Sequence, residues 1–209
     1  GAGGQIMTLP RRLTLLSHKE VGVEPAGAFE SLRYGHQHMS TMTLAPNKEV
    51  VLEHIKGNAM EISAEIAAAS EMTGNGLASP VFEMNVLRSP QKQEYTRIAF
   101  YRGRGRNGTF SRNRAQALIT IDSTYSSTHP DALLRAPETA PVMMGKDEPL
   151  KLRVFVDRSS VEVFVNGRQC AAVRVYPRRE DSVGVSLRSQ GRASMLTRLD
   201  AWQMKSIYE

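Results

Sequence analysis

Hydrophobic and polar residues alternate with a period of two along much of the chain, most clearly after residue 150. Leu150, Leu152, Val154 and Val156 alternate with Lys151, Arg153, Phe155 and Asp157, which predicts a strand with one face in a core. Arg158-Ser159-Ser160 breaks the pattern. Val161, Val163 and Val165 resume it, with Glu162 and Phe164 on the other face. Asn166-Gly167 then predicts a tight hairpin, because a type I′ turn needs positive φ at both central residues. Cys170 to Tyr176 reads as a third strand, stopped by Pro177. Val183, Val185 and Leu187 mark a fourth, and a fifth runs from about Met195 to Met204. Short consecutive strands joined by tight turns predict an antiparallel meander.

The first half points the same way. Met60, Ile62, Ala64, Ile66 and Ala68 alternate with Glu61, Ser63, Glu65 and Ala67. Ala and Glu favour a helix on propensity, but helical spacing would scatter these apolar residues around the axis, so a strand is predicted. Further strands are predicted at His38 to Leu44, Glu49 to Ile55, around Val81 to Leu87, at Thr96 to Tyr101 and at Ala117 to Asp122. No amphipathic helix stands out, and no fixed repeat of 20 to 50 residues is present. Ten or more short strands with turns between them predict an all-β fold, a two-sheet antiparallel β-sandwich with little or no helix. Tyr125 to Lys146, with Pro130, Pro137 and Pro141, is expected to be a long surface connection.

Composition narrows the classes. The chain has 209 residues, 41% hydrophobic and 23% charged, ordinary for a globular protein and too apolar for a disordered one. No run of about 18 apolar residues predicts a membrane-spanning helix. No signal-peptide pattern opens the chain. The lone Cys170 excludes an intrachain disulfide and a cysteine-based metal cage. The net charge of +6 favours anionic partners without establishing one.

Candidate chemistry is sparse. Glycoside hydrolysis needs two carboxyl groups at one site, yet alternation places Glu61, Glu65 and Glu162 on faces expected to be solvated. Asp157, beside Arg158 at a turn, is the better candidate for a ligand or catalytic role, although turn capping or a salt bridge is the simpler role. The histidines are His18, His36, His38, His54 and His129. His36 and His38 are placed on one face of a strand, with no third metal ligand evident. No Gly-x-Ser-x-Gly elbow or nucleotide-binding glycine motif occurs, so no cofactor is expected. The basic stretch 102–114, with Arg102, Arg104, Arg106, Arg112, Arg114, Tyr101 and Phe110, is the one feature suited to nucleic acid. A solvated loop is the simpler role for it. Trp202 on the last strand is expected to anchor the core or to offer a sugar-stacking platform.

Residues 152–167, Leu-Arg-Val-Phe-Val-Asp-Arg-Ser-Ser-Val-Glu-Val-Phe-Val-Asn-Gly, followed by Arg174-Val175-Tyr176-Pro177, closely resemble the C-terminal β-sandwich of glycoside hydrolase family 32. Met7-Thr8-Leu9-Pro10-Arg11, Ala59 to Ile66, Leu118 to Asp122 and Leu199-Asp200-Ala201-Trp202 match it in the expected order. That family holds invertases, levanases, inulinases and fructosyltransferases. The resemblance implies a jelly-roll or concanavalin-like sandwich over residues 13–209, with residues 1–12 a remnant of an interdomain connection. It also implies that the chemistry, a retaining cleavage or transfer of β-fructosyl units, belongs to a five-bladed propeller. The propeller's Trp-x-Asn-Asp, Arg-Asp-Pro and Glu-Cys motifs do not occur here. The implied role is therefore non-catalytic, with a propeller domain as partner, fructans as ligands and a homo-oligomer as further partner candidates, in a secreted enzyme. Asp157, Arg158 and Trp202 are the candidates for sugar or domain contact. The alternatives are an independent carbohydrate-binding sandwich and nucleic-acid binding through 102–114. An apolar surface near the N-terminal segment is expected where the propeller meets the module.

Overall fold

A computed structural model of the chain describes residues 7–68, 79–102, 114–133, 135–145 and 147–206. The described residues form fifteen strands: β1 (Arg11–Ser17), β2 (Glu20–Pro25), β3 (Arg33–Met39), β4 (Met42–Leu44), β5 (Glu49–Lys56), β6 (Ala59–Ile66), β7 (Val81–Arg88), β8 (Thr96–Tyr101), β9 (Arg114–Asp122), β10 (Glu138–Gly145), β11 (Leu150–Asp157), β12 (Ser160–Val165), β13 (Gln169–Arg174), β14 (Gly184–Gln190) and β15 (Ser194–Met204). A single 3-10 turn, Phe29–Leu32, is the one helical element among the described residues. The fold is a two-sheet antiparallel sandwich, as the alternation predicts. One sheet has the order β13-β12-β11-β6-β15-β3, with β4 also paired to β15, and the other has the order β10-β9-β8-β7-β14-β5. β1 and β2 form a separate two-stranded hairpin.

The core lies between the two large sheets. Ile62, Val154, Val163 and Leu199 from one meet Met84, Ile98, Ile119 and Leu187 from the other, all fully buried. Removing each such side chain from water contributes about 1.5–3 kcal/mol. Period-two alternation aims these residues inward, and it leaves the facing residues of each strand on the outer surfaces.

Three expectations change. Residues 150–204 are not one meander: β11, β12 and β13 are, but β14 crosses to the other sheet before β15 returns. Residues 138–145 within the proline-containing connection form β10, on the edge of the six-stranded sheet. An edge strand tolerates Pro141 because its missing N–H need not complete a ladder. The predicted His38 to Leu44 strand is two, β3 and β4, broken at Ser40 and Thr41.

The Asn166-Gly167 turn has the geometry its residues call for. Both take positive φ, 49° and 62°, and Arg168 N–H donates to the Val165 carbonyl at 2.9 Å. Val165 pairs with Gln169, so Arg168 bulges out of the ladder. Gly167→Ala would add a Cβ with only ordinary contacts, the nearest at 3.5 Å from Glu24 Oε1, so its cost is backbone strain alone. Urea unfolding is expected to show a loss of about 1 kcal/mol with an unchanged slope; a neutral effect would contradict this assignment.

Two surface segments are pinned by one buried carboxylate. Glu94, between β7 and β8, is fully buried. Its Oε1 accepts from Thr128 N–H (2.6 Å), Thr128 Oγ1 (2.9 Å) and Arg178 N–H (3.0 Å), and its Oε2 from Arg179 N–H (3.0 Å) and Ser182 Oγ (2.6 Å). The segments after β9 and after β13 are thereby tied to the β7–β8 connection.

Candidate functional site

The outer face of the seven-stranded sheet carries an organised polar cluster. Phe155, Glu61 and Trp202 form one cross-strand row, since Phe155 and Trp202 both pair with Glu61. Glu61 is fully buried, contrary to its expected solvated position. Alternation places it on the outer face correctly, but that face is covered. Arg33 donates to it twice, Nε to Oε2 and Nη2 to Oε1, each at 2.9 Å, and Arg153 Nε donates to Oε1. Glu30 sits 3.6 Å from Arg33 and 3.5 Å from Arg153. Phe29 packs on Phe155 with ring centres 5.5 Å apart. Residues 29–33 thus form a cover stapled to the sheet by an Arg–Glu–Arg arrangement.

Next to this cluster, Asp200 is buried and accepts from His36 Nε2 (2.8 Å) and His38 Nδ1 (2.9 Å), with Arg198 on its other oxygen. Both histidines lie on one face as their spacing predicts, and that face directs them to a carboxylate. Burial opposes the charge on Asp200, but the donors from His38, His36 and Arg198 outweigh it and lower the pKa to about 2.

The β1–β2 hairpin leans on the other end of this sheet. Leu9 N–H donates to Glu162 Oε1 at 2.8 Å, Val23 N–H donates to the Gly167 carbonyl at 2.8 Å, and Arg168 Nε sits 3.3 Å from Glu20 Oε1. Glu162 is buried under this segment, also contrary to its expected solvated face. Burial pushes its pKa up, and Arg11 Nη2, 3.5 Å from Oε2, is too distant for a good hydrogen bond. The hairpin's own apolar residues point away from the sandwich. Leu13 pairs with Val23 and Leu15 with Val21, and Leu13, Leu15 and Val21 are 68%, 73% and 48% exposed, with Met7 at 91%. A two-stranded hairpin is at best marginally stable alone, so polar anchors hold an apolar face open to solvent.

Neither the groove beside Phe82 and Phe100 nor the groove over β8, β9 and β10 is lined by a pair of carboxylates. Glu61, Glu94, Glu162 and Asp200 each hold structural partners, and the two surface grooves contain a single carboxylate between them, Asp122.

Residues 28–203 match the family model described as glycosyl hydrolases family 32, C terminal. The chain belongs to that family. Its curated relatives include a levanase of Bacillus subtilis, 29% identical over 86% of this chain and 24% of the levanase. They also include an acid beta-fructofuranosidase of Phaseolus vulgaris, 26% identical over 97% of this chain and 34% of that enzyme. The chain therefore spans a quarter to a third of their length. Among solved structures, fructan 1-exohydrolase IIa from Cichorium intybus superposes with a TM-score of 0.79 at 18% identity, over 95% of this chain and 41% of that one. The likeness to that structure concerns the fold alone.

On this family 32 sandwich, Asp157 and Arg158 are exposed at the β11–β12 turn, where Arg158 takes a φ of 51° and donates its N–H to the Asn58 carbonyl. Trp202 lies on the same outer face as Asp157, with β6 between their strands. Its indole is half-buried and already engaged: Arg33 lies 4.2 Å from the ring centre, and His36 stacks at 5.0 Å. A sugar stacking on that ring would compete with these partners. Cys170 is half-buried, and desolvation lifts its thiol to about 11, which keeps it out of the reactive thiolate form at neutral pH. In the basic stretch, Arg102 turns inward and donates to the Gly145 and Glu148 carbonyls at 3.1 and 2.6 Å. Residues 103–113 lie outside the described residues.

The hairpin and the Glu61 cluster were not indicated as sites by the sequence pattern. The usable signal for the hairpin was the Leu13, Leu15, Val21, Val23 alternation, which has no inward partner in the predicted core.

Proposed function

We propose that this chain is the non-catalytic β-sandwich module of a β-fructofuranosidase-type enzyme, and that it stabilises a propeller catalytic domain on which cleavage or transfer of fructosyl units takes place. The observation that carries this reading is the apolar face of the β1–β2 hairpin. Polar contacts fix the hairpin on the sandwich, while Leu13, Leu15 and Val21 stand exposed together. A clustered apolar face on a fixed element is the mark of a surface built to be covered. The relatives' names support the fructoside class, and the commitment of the buried carboxylates to structural partners supports a chain without its own catalytic pair.

Incubated with sucrose, inulin or levan, the isolated chain is expected to release no fructose above a blank; measurable release would refute the non-catalytic part. Leu13→Asp combined with Leu15→Asp is expected to reduce binding of a hydrophobic dye without lowering the melting temperature by more than about 2 °C, since these side chains are mostly exposed. A large fall in melting temperature would show that they serve the module itself.

A further inference from the structure

The outer face of the six-stranded sheet holds a groove of about 380 Å³ over β8, β9 and β10. Its shape follows from the register. Ala99, between Arg97 and Tyr101 on β8, is fully buried, and these two long side chains meet at 3.4 Å to make one wall of the groove. Beside that wall Thr120 pairs with Thr139, which makes a low floor running toward the sheet edge. Arg97 faces Asp122 at one end, and Tyr101 faces Leu118 at the other.

The walls are held in place before any ligand arrives. Arg97 Nη2 donates to the buried Glu83 Oε1 at 2.6 Å and reaches the Tyr101 hydroxyl at 3.4 Å. Burial opposes the Arg97 charge, but Glu83 more than offsets this and keeps it firmly protonated. Asp122 Oδ1 accepts from Thr124 N–H at 2.9 Å and Thr124 Oγ1 at 2.6 Å. No ion pair joins Arg97 to the facing Asp122, so a fixed donor and a fixed acceptor stand side by side at one end of the groove.

The geometry points to a saccharide-binding site here, taking one neutral sugar ring of an oligosaccharide. A donor and an acceptor side by side suit adjacent ring hydroxyls, which donate and accept at once. Tyr101 and Leu118 supply an apolar wall for the C–H face of a ring, and Thr120 and Thr139 add hydroxyls along the floor. Charge selects against anionic ligands: Arg97 is matched by Glu83, and Asp122 leaves the groove with an excess negative charge. That a fructosyl ring is the natural occupant rests on the function proposed above; the groove's own chemistry requires only a neutral polyol.

Titration calorimetry of the whole chain with short inulin-type and levan-type oligosaccharides is expected to give a dissociation constant on the order of 0.1–1 mM. Asp122→Asn, which keeps the turn to Thr124, and Tyr101→Ala are each expected to weaken binding about tenfold. Thr139→Trp, at the exposed rim, is expected to abolish it by filling the groove with no change in melting temperature. Binding of malto- or cello-oligosaccharides with the same sensitivity to these variants would keep the groove and overturn fructan as its ligand. Fructan binding that ignores all three variants would overturn the groove while leaving the fructoside reading intact. No heat with any of these saccharides at 10-fold the expected constant, or tighter binding of a sugar phosphate, would overturn the proposal.

Discussion

Glu94→Ala is expected to destabilise the sandwich by about 3 kcal/mol or more, because five donors lose their acceptor at once, the buried Ser182 hydroxyl among them. For a domain of this size that is a fall of roughly 6–12 °C in melting temperature. The charge matters as well as the shape. Desolvation works against ionisation of Glu94, but Ser182 Oγ and the N–H groups of Thr128, Arg179 and Arg178 win and bring its pKa down to about 2. A carboxylate whose folded pKa lies below its unfolded value stabilises the fold fully above the unfolded value, near 4.5. That contribution is lost as pH falls toward 2. Asp200 and Glu49 behave in the same way: burial opposes each, and their donors bring each to about 2. The wild-type melting temperature is therefore expected to drop steeply between about pH 4.5 and 2, and the drop is expected to be shallower in Glu94→Gln. If Glu94→Ala melts within 2 °C of wild type, the carboxylate does not pin the two segments.

Glu61→Ala is expected to cost about 3–5 kcal/mol, since it leaves Arg33 and Arg153 over a buried site without their acceptor. The only tryptophan of the chain reports the event directly. Trp202 carries the Arg33 guanidinium at 4.2 Å, and Arg33 is held there by Glu61. Loss of the carboxylate is expected to release Arg33 and change the indole emission before global unfolding. Replacing Glu61, Arg33 and Arg153 together with leucine or methionine is expected to recover much of the lost stability, because charge burial is then removed along with the pairing. Unaltered emission in Glu61→Ala would mean that Arg33 keeps its place without the carboxylate.

The extent to which these features are legible in the sequence depends on what pattern encodes. Alternation identified β6, β11 and β12 with nearly correct bounds, because each has one face in the core. It failed for β10, where prolines mask an edge strand that needs fewer ladder donors. It passed over β1 and β2, whose alternating leucines and valines pair only with each other among the described residues and lie outside the sandwich core. The same rule assigned Glu61 and Glu162 to the outer faces but could not say what lies on top of those faces; residues 29–33 and the Leu9 segment bury them. Glu94 stands outside any periodic run, and its five donors come from segments far away in sequence. The Arg97–Asp122 groove depends on cross-strand register, which one strand's sequence does not determine.

The position of β15 has a consequence for how the molecule is made. It lies between β6 and β3, so the strands translated early remain without their shared neighbour until Ser194 to Met204 exist. At synthesis rates of about 5–20 residues per second, the nascent polypeptide waits on the order of ten seconds with open strand edges in the ribosome's vicinity. Until that strand has emerged, the facing edges of β6 and β3 stay unpaired and open to pairing with other strands.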